Sequence, residues 1–407
     1  MDDINYIYFM NKFVFVVCGG REHIEELNFS LKFLRKYSKN EIIVLSDLKR
    51  NEIKIKHNNI IQVDTPENFD NHQASIFIKT GLNKFLPKAH NYCYLDGDIV
   101  AINEKVDEIF NFYKPPITFA KDHCVFEEFS PHAMNCKCIE EDAKKENIFN
   151  EKLSELFGKI NLTNPKIQKQ SELLLKTFEK LRKKPIKYFF TNVSYLFKRY
   201  IFPIKKFSLN GFIFLKFNKC WYNKENEIIL FDYPYYENKL WGKAGIRFNA
   251  KGNFWETKEG EKYEFKVPKC SHLSEYLKKE YGIKIPNNWQ HWNGGVFLFN
   301  DKSEEFLNFW HEITIKEFSN PYTKTRDQGT LALSVWKFGL ENHPNIPEEF
   351  NWICEFANKD IDWDKNLGYT KDGFKTKFYP NLLHIYHEWG NKNWSIWQSV
   401  ANQNQNT

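Results

Sequence analysis

Two aspartates separated by one glycine carry the clearest chemistry in this chain. They close the run Asn91-Tyr92-Cys93-Tyr94-Leu95-Asp96-Gly97-Asp98-Ile99-Val100. Side chains at i and i+2 of an extended segment point the same way, so Asp96 and Asp98 can reach toward one cation. Gly97 has no side chain and lets a bulky ligand approach the backbone. Hard carboxylate oxygens beside open space suit manganese or magnesium shared with a diphosphate. Asp-Gly-Asp alone is also an ordinary acidic turn. Its meaning depends on the elements around it.

Those elements read as an α/β chain. Phe13-Val14-Phe15-Val16-Val17 is a continuous apolar run, the pattern of a buried parallel strand, and Cys18-Gly19-Gly20-Arg21 follows as a loop. Ile24, Leu27, Leu31 and Leu34 recur at helical spacing until Asn40. Residues 41–45 form a second strand, closed by Ser46-Asp47, and residues 60–64 a third. Strand, helix and strand at this spacing form a right-handed crossover, and such sheets bind ligands at the carboxyl ends of their strands. Gly19 to Arg21, Asp47, Asp96 and Asp98 would all lie there. Residues 69–86 read as a helix carrying Ile76, Lys79, Leu82 and Phe85 and ending at Pro87. Residues 106–112 read as a short amphipathic helix, and Ile117-Thr118-Phe119-Ala120 as another strand.

Further along, Trp289-Gln290-His291-Trp292-Asn293-Gly294-Gly295-Val296 leads a Gly pair into an apolar strand, where a ligand can approach the backbone closely. Asp301 with Glu304 fits a capping box for a helix over 304–315, with Phe306, Leu307 and Trp310 on its core face. Thr325-Arg326-Asp327-Gln328-Gly329-Thr330 opens a helix that ends near Gly339; its first turn favours anions, and Asp327 would also serve as its N-cap. Leu382-Leu383-His384-Ile385-Tyr386-His387-Glu388-Trp389-Gly390 is a short strand carrying histidines into a loop.

The composition is that of a globular chain long enough for one large domain with an insertion, or for two: 407 residues, 42% apolar and 27% charged. Aromatics make up 17%, so rings should build much of the core. The net charge of +6 favours anionic ligands but is too small and too spread out for nucleic acid. No apolar run approaches the ~20 residues of a membrane-spanning helix, and no signal peptide is evident. With eight scattered cysteines, this points to a reducing, cytoplasmic setting. His123, Cys124, His132, Cys136 and Cys138 are close enough in sequence to raise zinc, but Cys136-Lys-Cys138 lacks the usual two-residue gap and no second Cys pair follows, so ordinary thiols are the reading adopted. Residues 1–8 read as a disordered lead-in.

From 130 to 286 the pattern changes, and this span reads as an α+β insertion. Residues 140–183 are charged and partly helical. Residues 181–206 hold eight Lys or Arg and no Asp or Glu, interleaved with aromatics, which suits peripheral contact with anionic lipid headgroups or a lipid-linked substrate. A solvated basic face over an aromatic core would give the same pattern. Residues 212–267 alternate, with turn signals at Asn223-Lys224-Glu225-Asn226 and Ala250-Lys251-Gly252-Asn253, the pattern of β-hairpins.

The order of motifs resembles retaining GT-A glycosyltransferases, close to the family (glycosyltransferase family 8) that includes glycogenin and the bacterial lipooligosaccharide galactosyltransferases. Leu86-Pro87 and then Tyr94-Leu95-Asp96-Gly97-Asp98 resembles its Leu-Pro and Tyr-Leu-Asp-x-Asp; Asn293-Gly294-Gly295-Val296 its Asn-Ala-Gly-Val; Asp327-Gln328 its Asp-Gln-Asp; and His384 with Gly390, Lys392 and Trp394 its final His, Gly-x-Lys-Pro-Trp. Lys79 stands where an Arg is usual, and Gly329 where a third acidic residue is usual.

The resemblance implies a GT-A fold: a Rossmann-like mixed sheet flanked by helices, with a nucleotide-sugar half over 10–129, an acceptor half over 287–396 and a polar tail over 397–407. It implies transfer of a hexose, with retention, from a UDP-linked sugar to a glycan or lipid-linked saccharide of the lipopolysaccharide kind. Asp96, Asp98 and His384 would hold Mn2+ (or Mg2+), with His387 as the competing histidine. Lys79 and Lys392 would contact phosphate, and Asp47 would join the donor site. Asn293, Gly294 and Gly295 would line the donor sugar. Asp327 would take sugar hydroxyls, and Gln328 would sit near the anomeric carbon. Three other readings stand beside this one. A sugar nucleotidyltransferase would show a basic Gly-rich loop, of which Gly19-Gly20-Arg21 is a fragment. An inverting GT-A enzyme needs a carboxylate base near the acceptor. A non-catalytic carbohydrate-binding protein on a decayed transferase fold would have no need of Asp96, Asp98 and His384.

Overall fold

The computed structural model describes residues 10–405 apart from 159, 162, 202–203, 244, 250–253, 259, 261, 264–267, 357, 359 and 373–374. The expected lead-in over 1–8 and the expected turn at 250–253 lie outside the described residues. The chain divides into two compact units, one built from residues 1–137 with 269–407 and the other from 138–268.

The first unit is built on a six-stranded mixed sheet. Strand β1 (Met10–Val16) is apolar on both faces and takes a central place. It pairs in parallel with β2 (Glu41–Ser46), which pairs in parallel with β3 (Ile60–Gln62), while β4 (His90–Leu95) pairs in parallel with the other edge of β1. After Asp98 the chain forms β5 (Ile99–Ala101), which leaves this sheet, and returns as β6 (Thr118–Val125). The late strand β7 (Gln290–Phe299) inserts antiparallel between β4 and β6, so the order is β3-β2-β1-β4-β7-β6. A second, three-stranded sheet has the order β8 (Trp352–Glu355), β9 (Leu382–Tyr386), β5.

Helices cover both faces of the main sheet. Helix α1 (Arg21–Tyr37) buries Ile24, Leu27, Leu31 and Leu34, the residues of its apolar repeat, against Phe13, Phe15 and Val44. The opposite face carries α2 (Asn71–Thr80), and α3 (Phe126–Ala133) and α4 (His272–Tyr281) pack on each other beside it. Helices α5 (Glu304–Glu317) and α6 (Asp327–Lys337) add Phe306, Leu307, Trp310, Leu331 and Val335 to the core that α2 shares.

Three sequence expectations change in detail. The helix expected over 69–86 starts later, at an Asp70/Gln73 capping box, and breaks at Gly81 before the short helix Leu82–Phe85. A Cβ at Gly81 would lie 3.0 Å from the Phe77 carbonyl and 3.1 Å from His311, so tight packing against α5 sets the break. The helix expected over 106–112 is a 3-10 run, Glu104–Phe112. The capping box before α5 is Asn300 with Ser303 rather than Asp301 with Glu304, because Asp301 instead accepts the Ala89 amide at 2.9 Å.

The unit 138–268 has its own core of Ile167, Leu174, Phe207, Phe214, Trp221, Ile229 and Phe231. Helices Cys138–Phe157, Pro165–Lys183 and Phe189–Tyr200 precede a four-stranded antiparallel sheet. The strands Cys220–Tyr222 and Ile228–Phe231 form the hairpin read from Asn223 to Asn226, and the Asn223 side chain accepts the Glu227 amide at 2.8 Å. Within the span read as hairpins, Tyr233–Lys243 is a helix. Residues Ser395–Gln405, which include most of the polar tail, are also helical.

Phe119 on β6 stacks among Trp292, Phe297, Phe306 and Trp310 and is fully buried. Truncation there removes the ring on which these four side chains close. Phe119→Ala is expected to lower stability by about 3–5 kcal/mol, read as a shift of the urea unfolding midpoint followed by tryptophan fluorescence.

Candidate active site

The carboxyl end of β4 and the strand β9 bring the acidic pair and His384 together. Asp96 follows β4 directly, and its amide donates to the Gly295 carbonyl on β7 at 2.9 Å. Asp98 leads into β5, whose Ile99 lies opposite His384 of β9, and the Ile385 amide donates to the Asp98 carbonyl at 3.0 Å. The second sheet therefore delivers His384 from a distant part of the chain. Ligand atoms of Asp96, Asp98 and His384 all lie within 4.8 Å of one another. His384 Nε2 is 3.4 Å from Asp98 Oδ1. Its Nδ1 donates to the Asn351 side-chain oxygen at 2.9 Å, and the Asn351 amide nitrogen donates to the Lys121 carbonyl at 3.1 Å. In the neutral ring that bond keeps the proton on Nδ1 and turns the Nε2 lone pair toward the carboxylates, the arrangement a metal-binding imidazole needs.

Two observations show that these residues fit a divalent cation. Asp98 Oδ1 is buried with no hydrogen-bond partner, a costly state for a carboxylate oxygen without a cation. A Cβ at Gly295 would lie 2.8 Å from Asp96 Oδ2, 2.8 Å from Asn293 Oδ1 and 2.9 Å from His384 Cε1. Gly295 thus leaves the space in which the ligands converge. It sits where the β7–β6 register slips between Asn293 and Phe297, a bulge that turns Gly294 and Gly295 into the site.

Lys79 on α2 stands beside this group. Its ammonium is 2.8 Å from Asp327 Oδ2 and 3.2 Å from Asp96 Oδ1, over the Tyr94 ring, and its side chain is only 10% exposed. Burial works against its charge, but Asp327 and Asp96 outweigh that and hold it above the ordinary lysine value. Burial raises the Asp96 carboxyl above its ordinary value; Lys79 pulls it down, and Asp98 pushes it up again. For Asp98 and Asp327 burial also raises, but His384 and Lys79 respectively dominate and leave both below the ordinary value. The Tyr94 hydroxyl donates to Asp96 Oδ1 at 2.5 Å. The N-cap position of α6 belongs to Arg326, not Asp327, and makes no side-chain cap. Asp327 is the first helical residue, and its carboxylate goes to Lys79.

Gln328 extends the site toward β6. Its side-chain amide donates to Asp122 Oδ2 at 3.1 Å, and Asn293 donates to the same oxygen at 3.3 Å. Asn293 Oδ1 accepts the Gly295 amide at 2.8 Å. Burial raises the Asp122 carboxyl, but the hydrogen bond from His123 and the nearby His291 and Asn293 bring it well below the usual carboxylate range. Asp122 and Asn351 line a neighbouring cavity of about 740 Å3 with Lys121, His123, Asp360 and Lys371. Asp122, Asn351 and Tyr94 were not singled out from the sequence. Asp122 and Asn351 stand in no motif and act through partners far along the chain, whereas Tyr94 opens the Tyr-Leu-Asp-x-Asp run and acts on Asp96 two residues on.

The remaining expected residues lie outside this cluster. Asp47 is buried, and its oxygens take the Thr65 amide at 3.1 Å and hydroxyl at 2.7 Å, Arg50 at 3.3 Å and the Lys49 amide at 3.3 Å. Lys392 is exposed on the turn after β9, and its carbonyl accepts from Gln398 at 2.7 Å. His387 is exposed in that turn with φ of 62°, so His384 is the histidine that joins the acidic pair. The five-residue Cys/His cluster separates: His123 and Cys124 group with Asp122, His132 joins no metal-type group among the described residues, and Cys136 groups elsewhere.

No protein-family model and no curated protein matches this chain. Solved structures do. The bifunctional glycosyltransferase WbbM, in its apo form, is similar over 100% of this chain and 51% of its own length, at 10% identity and a TM-score of 0.41. The chain thus spans about half the length of that protein. Mouse xyloside xylosyltransferase 1 is similar over 95% of this chain and 98% of its own, at 11% identity and a TM-score of 0.34. The glycosyltransferase GlyE of Streptococcus pneumoniae TIGR4 is similar over 28% of this chain and 30% of its own, at 15% identity and a TM-score of 0.20.

The two adjacent glycines make a sharp comparison. A Cβ at Gly294 would meet nothing closer than Asp327 Oδ2 at 3.4 Å, whereas one at Gly295 meets three atoms under 3.0 Å. Gly294→Ala is expected to stay within about 0.5 kcal/mol of the parent in urea unfolding. Gly295→Ala is expected to lose about 1–3 kcal/mol and to weaken Mn2+ binding in calorimetric titration. Equal behaviour of the two variants would count against a cation cradle at Gly295.

Proposed function

We propose that this chain is a metal-dependent glycosyltransferase that moves a hexose, with retention, from a UDP-linked sugar to a glycan or lipid-linked saccharide of the lipopolysaccharide kind. The observation that carries the proposal is the convergence of Asp96, Asp98 and His384 on one point, beside the buried Lys79–Asp327 pair. The motif order that resembles family 8 glycosyltransferases supports it.

Asp96, Asp98 and His384 would hold manganese or magnesium, which when bound supplies Lewis-acid neutralisation of the departing diphosphate. Lys79 adds a fixed charge within reach of the same phosphates, where charge develops in the transition state. Lys392, exposed after β9, would contact phosphate oxygens of the bound donor. Asp47 would act on the donor through the loop it holds. Asn293, Gly294 and Gly295 would line the sugar, and Asp327 would accept from its hydroxyls. Gln328, fixed by Asp122, would sit beside the anomeric carbon. An amide is a poor nucleophile, which favours attack on the face the diphosphate leaves, with a phosphate oxygen taking the acceptor's proton. Asp122 is a weak base for an inverting route, because its carboxyl is held far below neutrality. The adjacent cavity lined by Asp122, His123 and Asn351 would receive the acceptor.

The lipid-linked acceptor finds support in the unit 138–268. Helix Phe189–Tyr200 buries none of its residues. Phe189, Phe190, Val193, Leu196, Phe197 and Tyr200 are exposed, as is Ile186 before it, with Phe190 at 86% and Ile186 at 91%. Exposed Arg182, Lys183, Lys184 and Lys187 precede the helix. Apolar rings beside a cationic run fit the headgroup boundary of an anionic bilayer. Among the described residues no helix is long and apolar enough to cross a membrane.

Hydrolysis of a panel of UDP- and GDP-sugars, with Mn2+ present and absent, tests the reaction. One donor should turn over only with metal, and Asp98→Ala should abolish that turnover. Asn351→Ala should raise the Mn2+ concentration needed by about 10–100-fold, because the Nε2 lone pair is no longer fixed. Absence of metal-dependent donor binding would point to the decayed, carbohydrate-binding alternative.

Vesicle co-sedimentation tests the surface. The full chain should bind vesicles rich in phosphatidylglycerol and lose binding on phosphatidylcholine alone. Phe190→Asp/Phe197→Asp should release it without changing hydrolysis of soluble donor. Binding that survives the double substitution would refute this helix as the contact.

A further inference from the structure

We propose that Cys136, Cys270 and His272 form a structural zinc site at the point where the chain leaves the first unit and re-enters it, with Cys138 as the fourth ligand. The site is separate from the acidic pair and its histidine. The ligand atoms of Cys136, Cys270 and His272 lie within 4.8 Å of one another. Tetrahedral zinc with sulfur at about 2.3 Å sets ligand-to-ligand separations of about 3.8 Å, so a small adjustment closes the site. Cys138 follows Cys136 by two residues. Its Cα therefore lies at most about 7 Å from that of Cys136, near enough for the chain to supply the fourth ligand.

The pattern is Cys136-Lys-Cys138 with Cys270-Ser-His272. The second pair is one Cys and one His rather than two Cys, and it lies beyond the whole 138–268 unit. A search for a nearby second Cys pair misses it for both reasons. Three thiolates and one imidazole are a soft donor set that selects zinc over the hard cations suited to Asp96 and Asp98.

The surroundings are built to hold these ligands. The Cys270 amide donates to the Glu127 carbonyl on α3 at 3.0 Å. Lys269 pairs with Glu128 at 3.0 Å. Ser130 Oγ lies 3.1 Å from Cys270 Sγ and accepts the Leu273 amide at 3.0 Å, which leaves its hydroxyl proton to point at the sulfur. Donation to a thiolate from such a hydroxyl is the outer-shell bond that orients a metal ligand. On the other side, the Asn135 side chain donates to the Pro321 carbonyl at 2.9 Å and the Thr323 carbonyl at 3.1 Å, so Cys136 follows a fixed residue. Cys136 and Cys270 are half-buried and His272 is exposed, which leaves an entry path for the ion. Binding takes a proton from each thiol, leaves the imidazole neutral, and ties the outgoing segment to the incoming one.

The test uses the full chain, expressed with zinc in the medium, passed through EDTA and assayed by elemental mass spectrometry. About one zinc per chain should survive, and Cys136→Ser/Cys270→Ser should lower that content at least about tenfold. Cobalt in place of zinc should give a thiolate charge-transfer band in the near ultraviolet, which carboxylate and imidazole ligands do not produce, so metal at Asp96, Asp98 and His384 cannot mimic it. If the double variant does not fold, His272→Gln, at an exposed position, should still weaken cobalt affinity at least about tenfold. The proposal is overturned by a chain that holds no zinc, by zinc retained in the double variant, by unchanged cobalt binding in His272→Gln, or by a Cys136–Cys270 disulfide in freshly isolated protein.

Discussion

The ion pairing of Lys79 is the interaction on which the rest of the site depends. Asp98 and Asp327 both push the Asp96 carboxyl up, and burial makes the setting of all three hostile to charge. Two unit charges about 4 Å apart interact by about 4 kcal/mol at the effective dielectric of such places. Three bare carboxylates could not stay ionised there. Lys79 offsets Asp96 and Asp327, and His384 offsets Asp98. Removing one partner of such a buried pair costs about 3–5 kcal/mol, because the other is left uncompensated.

Positioning comes from strand ends rather than from loops. Asp96 is fixed by its backbone bond to Gly295, and Asp98 by pairing beside β9. The small sheet β8-β9-β5 delivers His384 to the end of the large sheet and, from the residue preceding β8, the Asn351 that sets its tautomer. The bulge in β7 bends the Gly pair into the same space. These devices place side chains on paired backbone, where geometry is held more closely than on a free loop.

The unit 138–268 follows different physics. Its core is aromatic, with Trp221 packed against Phe178, Phe207 and Phe214. Arg199 is drawn inward to Asp232 at 2.6 Å, so the basic run is not uniformly a solvated face. The aromatic residues of the same stretch divide: Tyr195 packs onto the core, whereas Phe190 and Phe197 do not. Alternation of polar and apolar residues suggested hairpins through 267, yet 233–243 is helical. Period-two patterning is weak evidence over a run as rich in tyrosine as Tyr233-Pro234-Tyr235-Tyr236, where large rings face both ways.

What the sequence determined by itself is local. Apolar runs marked β1, β2 and β4, the repeat of Ile24, Leu27, Leu31 and Leu34 marked α1, and residue type and spacing marked Asp96, Asp98, Gly295, Asp327 and His384 as chemistry-bearing. Each follows from the period of a single element or from what a side chain can ligate. Tertiary structure decided the rest. It chose His384 over His387 by register with β5, gave Lys79 to two carboxylates, committed Asp47 to Thr65 and Arg50, and brought in Asp122, Asn351 and Ser130, which no motif marks. It also put Cys136 beside Cys270 and His272 rather than beside His123. The physical reason is common to all of these. A hydrogen bond, an ion pair or a ligand cluster is defined by distance in space, and the chain's order constrains that distance only where the partners share one strand or one turn of helix.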